Sequence, residues 1–185
     1  MKIFDSSGSA LAAALVLMFA VPLAARAASP QPTPAQTEGP YYSAGSPERA
    51  SLREASTVGE PLRVTGRVLD RAGKPVVRAR LDFWQTDGEG RYDNRGYALR
   101  GHQITDADGR YVLDTVLPGQ YPGRARHIHV KIFVDGRPPL TTQLYFAGAT
   151  GNARDSLVDR RLLVELAERA GMKTGEFDFV LDFVR

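Results

Sequence analysis

The chain has no cysteine in its 185 residues. That excludes disulfides, thiolate zinc sites and iron–sulfur clusters, so the fold must hold by packing and by any metal bound through nitrogen and oxygen. Methionine is scarce as well. Only Met172 lies beyond the first 27 residues, which leaves a copper carrier short of soft ligands. No block of Lys or Arg forms a basic stripe, and the net charge is only +3. A nucleic-acid partner is therefore not expected. Nor does any apolar run comfortably reach the ~20 residues that span a bilayer. The longest, Ala10 to Val21, follows Lys2 and precedes Ala25-Arg26-Ala27. That order matches the charged, apolar and cleavage regions of a secretory signal. Residues 1–27 are expected to be removed on export. The mature chain would then be periplasmic or extracellular, with no membrane attachment.

What remains is enough for one domain with a hydrophobic core. Residues 28–60 are rich in Pro, Ser, Thr, Gly and Glu and keep no period, so a leader and an extended arm are expected there. From Pro61 the pattern changes. Leu62, Val64, Gly66 and Val68 alternate with Arg63, Thr65 and Arg67, the period of a strand with one buried face. Turn residues at 70–75 and 105–109 separate further strands predicted at 79–85, 110–116, 127–134, 141–146 and 177–184. Val158, Leu162, Leu163, Leu166 and Ala170 follow helical spacing, with Asp155 as N-cap and Gly171 as stop. The expected fold is all-β. It is an antiparallel β-sandwich over residues 61–185, with one short packed helix and an extended N-terminal arm.

The sharpest chemical feature is His127-Ile128-His129. Residues two apart on a strand point the same way, so both imidazoles share a face while Ile128, Val130, Ile132 and Val134 occupy the other. Such a pair is half of a site for iron, copper or zinc, or simply two polar residues. A cupin-type site would add a Glu three or four positions on, where Ile132 and Phe133 stand. His102 is expected on a surface loop. Phenols flank the pair in sequence: Tyr121 in PGQY and Tyr92 in DGEGRY. Alone, each reads as an ordinary aromatic, and Trp84 reads as sandwich core. Two non-enzymatic readings stay open. The G-x-V-x-D-x-x-G-x-P-V-x-x-A pattern at Gly66 to Ala79 is similar to prealbumin-like binding modules. The histidines alone would also suit a periplasmic copper or zinc carrier.

Several segments together resemble the intradiol ring-cleavage dioxygenases, closest to the protocatechuate-type core. They are TEGPYY (37–42), GRVLDRAGKPVVRARLDFWQTDGEGRY (66–92), LRG (99–101), TDADGRY (105–111), PGQYPGRARHIHV (118–130) and TTQLYF (141–146). The resemblance implies an Fe(III) ion held by Tyr92, Tyr121, His127 and His129. It also implies a catechol-type substrate opened by O2 between its hydroxylated carbons, giving a muconate-type diacid. A hard ferric ion favours anionic oxygen, and coordination ionises a phenol despite its high reference pKa. By the same resemblance Tyr121 is the ligand that leaves and accepts a substrate proton. Arg124 stabilises negative charge on the ring, Gln143 fixes the substrate or a ligand, and Gly39, Pro40 and Tyr41 line the substrate pocket. One departure stands out: only five residues separate Tyr121 from His127, a shorter loop than in the protocatechuate enzymes. The ring substituents and any homo-oligomer are left undetermined.

Overall fold

The computed structural model describes residues 30–184, so the expected signal segment lies outside the described residues. Among these, ten strands are arranged in two five-stranded sheets. The first sheet is built on β1 (Pro61–Leu69), whose alternation is as expected: Leu62, Val64 and Val68 are fully buried and Arg63 and Arg67 are exposed. Antiparallel to β1 runs β4 (Arg110–Val116), and on its other side lie β9 (Met172–Glu176) and β10 (Phe179–Val180), both parallel to it. A Cβ at Gly66 would overlap the Phe177 carbonyl where the chain passes from β9 to β10. The short β8 (Ala167–Arg169) completes this sheet beside β9.

The second sheet has the order β3 (Arg100–Ile104), β2 (Arg80–Trp84), β5 (His127–Phe133), β6 (Leu140–Phe146), β7 (Leu163–Val164). Leu81, Phe83, Ile128, Val130, Ile132, Leu144 and Phe146 meet Leu62, Val64, Val68, Tyr111 and Leu113 in one core between the sheets. The outer face of the second sheet carries a different population. Cross-strand registers place Trp84 beside His129, His129 beside Gln143, and His127 beside Tyr145.

The sandwich is only partly antiparallel, and the expected helix is absent from the described residues. Residues 160–162 form a single 3-10 turn, capped by Asp159 rather than Asp155, before the chain enters β7. Burial there alternates, with Leu162 and Val164 buried and Glu165 exposed, so strand pairing wins over the helical spacing. Ala170 and Gly171 both have positive φ, at 50° and 74°, and Arg169 faces Met172. These are the marks of a two-residue hairpin turn and not of a helix stop. The strand predicted at 177–184 shrinks to β10, and β3 had no counterpart in the predicted strands.

The arm wraps the domain. Thr33 pairs with Val180, Gln36 N–H donates to Thr141 O at 2.8 Å, and the chain then crosses the outer face of the second sheet. Further on, Arg49 N–H donates to His102 O and Leu52 N–H to Asp114 O, covering the free edges of β3 and β4. Leu52 is fully buried there, and a Cβ on Gly101 would come within 2.7 Å of it.

Candidate active site

His127 and His129 lie side by side on the outer face of β5, with exposures of only 4% and 3%. His127 Nδ1 is 2.7 Å from the Ala125 carbonyl oxygen. A carbonyl only accepts, so Nδ1 carries the ring proton and Nε2 presents a lone pair. That Nε2 lies 3.1 Å from His129 Nε2 and 3.4 Å from the Tyr92 hydroxyl. Burial drives the His127 pKa down to about 4. His129 is also driven well below its ordinary value, first by burial and then by its neighbour His127 and by Arg124. Both rings are therefore neutral at physiological pH. His129 stacks flat on Trp84, with centroids 4.6 Å apart and planes 5° apart. Trp84 is thus buried on the site side of the sheet, outside the core cluster in which it was expected.

The phenols arrive on two loops that meet backbone to backbone. Asp87 Oδ1 accepts from the N–H groups of Glu89 and Arg91, turning the chain just before Tyr92. Gly90, at φ 84°, has no room for a Cβ because the Gln120 carbonyl abuts it, and Gly119 N–H donates to Asp87 O at 2.7 Å. These two glycines let the Tyr92 and Tyr121 loops lie together. From the arm, Tyr41 stacks on Tyr92 at 4.3 Å and hydrogen-bonds through its hydroxyl to Tyr121 OH at 2.6 Å. Gly39 comes close enough that a Cβ would touch His129 Cε1 at 3.5 Å, while Pro40 is exposed at the intervening turn.

Three of the four expected ligand groups thus converge directly, and the fourth, Tyr121, joins them through Tyr41. The donors fit a ferric ion. With His127 protonated on Nδ1, a proton on His129 Nε2 bridges the 3.1 Å gap in the metal-free protein, and a cation could take that proton's place. That tautomer leaves His129 Nδ1 as a lone pair, buried without a hydrogen-bond partner among the described residues. Among the described residues no three His, Asp or Glu side chains cluster, so the anionic donors available are phenols. Burial pushes Tyr92 well up, a shift opposed by the nearby Arg124 and Arg100 guanidiniums. A bound cation would act in the same direction as those arginines.

Arg124 reaches this cluster from the loop before β5. Its Nη2 donates to Gln143 Oε1 at 2.7 Å and to Tyr145 OH at 3.1 Å, and its Nε donates to Asp155 Oδ2 at 2.8 Å. Gln143 is fully buried, and its Nε2 donates to the Thr37 carbonyl of the arm. Both ends of its amide are therefore committed to protein, and it anchors Arg124 to the arm.

Sequence reasoning passed over Arg100, although the LRG segment contained it. It is 2% exposed, donates to the carbonyls of Tyr41 and Asp93, and lies 5.8 Å from the Tyr92 ring centroid. It ties two of the three clustered tyrosines into one unit. His102 is a strand residue of β3, not a loop residue. Its Nδ1 lies 2.8 Å from the Ser46 carbonyl, and it does not join the histidine pair.

Known proteins resemble this chain in sequence and in fold. A sequence profile for the family described as Dioxygenase matches residues 37–183. The protocatechuate 3,4-dioxygenase beta chain of Burkholderia cepacia is 33% identical over 161 residues, covering 71% of this chain and 68% of that one. A catechol 1,2-dioxygenase of Acinetobacter baylyi is 30% identical over 145 residues, covering 63% of this chain but 47% of its own length. The chain thus spans about half of that longer relative. Among solved structures, one is the dioxygenase domain of a dioxygenase carbohydrate-binding protein fusion from the cellulolytic bacterium Streptomyces sp. SirexAA-E. It superposes with a TM-score of 0.81 at 53% identity, covering 83% of this chain and all of that domain. With the profile running from the arm through the last strand, the chain belongs to the intradiol ring-cleavage dioxygenase family.

Proposed function

We propose that this protein is an exported ferric dioxygenase that opens a catechol-type ring between its two hydroxylated carbons, giving a muconate-type diacid. Enzymes of this family use non-haem iron. One observation carries the reading: His127 Nε2 lies 3.1 Å from His129 Nε2 and 3.4 Å from the Tyr92 hydroxyl, and the Tyr121 phenol hydrogen-bonds to Tyr41, which stacks on Tyr92. Tyr92, Tyr121, His127 and His129 would hold the ion. Once bound, the ferric ion would draw electron density from a chelated catechol and so open the ring to attack by O2.

The protein's own groups divide the remaining work. The Ala125 carbonyl holds His127 in the tautomer that presents Nε2. Trp84 fixes the plane of the His129 ring. Tyr121 would accept the substrate's phenolic proton at its oxygen, which Tyr41 OH already holds by a hydrogen bond. Arg124, with Nη1 making no hydrogen bond among the described residues, supplies positive charge where the ring becomes anionic. Tyr41 and Gly39 cover the histidine side and restrict water there. The carrier and binding-module alternatives gain nothing from this geometry.

The test is O2 uptake by iron-reconstituted protein across a panel of substituted catechols, with iron measured per chain. Stoichiometric O2 consumption and a dicarboxylic product are expected. A colourless protein that takes up no iron and consumes no O2 would overturn the proposal.

A further inference from the structure

The outer face of the second sheet ends at a loop, residues 147–159, that the catalytic reading does not use. It packs tightly against the site. A Cβ on Gly151 would lie 3.2 Å from Ala125 Cα, so a residue without a side chain lets the loop approach the strand leading into β5. From this loop Asp155 points inward, with its side chain 4% exposed.

Its two oxygens have distinct tasks. Oδ1 accepts from Leu157 N–H at 3.0 Å, which holds the loop's own turn. Oδ2 accepts both Arg124 Nε and Ala125 N–H, each at 2.8 Å. Ala125 is the residue whose carbonyl receives the His127 Nδ1 proton. One carboxylate oxygen therefore holds a guanidinium and also the N–H of the residue whose carbonyl meets His127.

Arg124 is held from three sides: Asp155 on the loop, and Gln143 and Tyr145 on β6. Those two β6 residues are in turn tied to the arm through Thr37 and Gln36. An arginine serving only as surface charge has no need of such restraint, because an exposed ion pair contributes little. Fixing Nε and Nη2 leaves Nη1 as the one guanidinium nitrogen without a hydrogen bond among the described residues, and its direction is set by the other two.

We propose that Asp155 is a positioning residue: it aligns Arg124 against the reacting ring. This rests on the reading of Arg124 given under the proposed function. The sequence pattern assigned Asp155 to a helix N-cap, a role that Asp159 fills on a 3-10 turn instead.

The experiment compares the iron-loaded parent enzyme with Asp155→Ala, Asp155→Asn, Arg124→Ala and Asp155→Ala/Arg124→Ala. Catechol is the substrate, and iron content, visible band, kcat and KM are read for each. Loss of a group that orients a site residue typically lowers activity about 10- to 100-fold. Asp155→Ala is expected to lower kcat per bound iron by about that factor, with KM little changed. Asp155→Asn should fall between, since an amide has one acceptor oxygen where the carboxylate has two. The double variant should be no slower than Arg124→Ala alone, because both act through one guanidinium.

If Arg124→Ala lowers kcat while both Asp155 variants keep parental kcat per iron, the positioning role is wrong. Multiplicative loss in the double variant would also overturn it. If Arg124→Ala itself keeps full kcat, the failure lies in the reading of Arg124. Should Asp155→Ala prove too unstable to assay, Asp155→Asn retains part of the network and decides by the same criteria.

Discussion

Alternate residues of β5 face opposite ways, and the two faces meet different physical demands. Ile128, Val130 and Ile132 point into the core, where their value lies in area removed from water and in close packing. His127 and His129 point outward, yet they are buried nearly as completely, beneath the arm and against Trp84 and Tyr145. Burial stabilises the fold on the inner face. On the outer face it strips water from two imidazoles, holds them neutral and leaves their Nε2 atoms 3.1 Å apart. The inner face sustains stability, and the outer face presents two neutral imidazoles side by side.

The contrast is sharpest for His129→Ala. It should abolish iron retention and O2 uptake while leaving far-UV circular dichroism unchanged, because the core does not include this side chain. Metal analysis and an oxygen electrode check this, and full iron content in the variant would break the comparison. Ile128→Ala, one residue away, should do the reverse. It should reduce unfolding free energy by about 2–5 kcal/mol while kcat per bound iron stays near parental at temperatures where the protein is folded. Denaturant titration paired with kinetics separates the two effects.

A smaller effect follows from protonation of the outer face. In the metal-free protein, His127 has a folded pKa of about 4 against an ordinary value of 6.5. Above pH 6.5 neither the folded nor the unfolded chain binds the proton, so no penalty arises. As pH falls below 6.5 the unfolded chain is protonated first, and stability drops until the folded pKa is reached. At ~1.4 kcal/mol per pKa unit, the loss should be about 2–3 kcal/mol by pH 4.5. His127→Phe should flatten the slope, as urea midpoints at pH 7.5 and 4.5 would reveal. Smallest in stability is Tyr121→Phe. It should cost about 1 kcal/mol for the hydrogen bond to Tyr41, while shifting or bleaching the tyrosinate-to-iron visible band. An unaltered band would remove Tyr121 from the ligand set.

What could be read from the sequence follows the same division. Alternation located β1 and β4 to within a residue or two, because one face of each is buried and the other is not. Strands β5 and β6 lie within a residue of their predicted bounds although both their faces are buried. The H-x-H pair declared its shared face because residues two apart on a strand point the same way. Strand β3 had no such signal. Its Gly101 makes room for Leu52, which arrives from the arm some fifty positions earlier, so the apolar partner is missing locally. The stretch after Asp155 carries both periods at once, since Val158, Leu162 and Leu166 fit a helix while Leu162 and Val164 also fit alternating burial. Edge pairing with β6 and the Ala170-Gly171 turn decide it, and neither is a local property. Arg100 and Asp155 were hard to see for a related reason. Each acts through contacts with chain segments far away in sequence, Tyr41 for one and Arg124 for the other.

The most direct test is an iron-edge anomalous difference map from crystals of the iron-loaded protein. One peak is expected, bounded by His127 Nε2, His129 Nε2 and the phenol oxygens of Tyr92 and Tyr121. A peak bound by the histidines but lacking both tyrosines, or lying elsewhere in the fold, would contradict it.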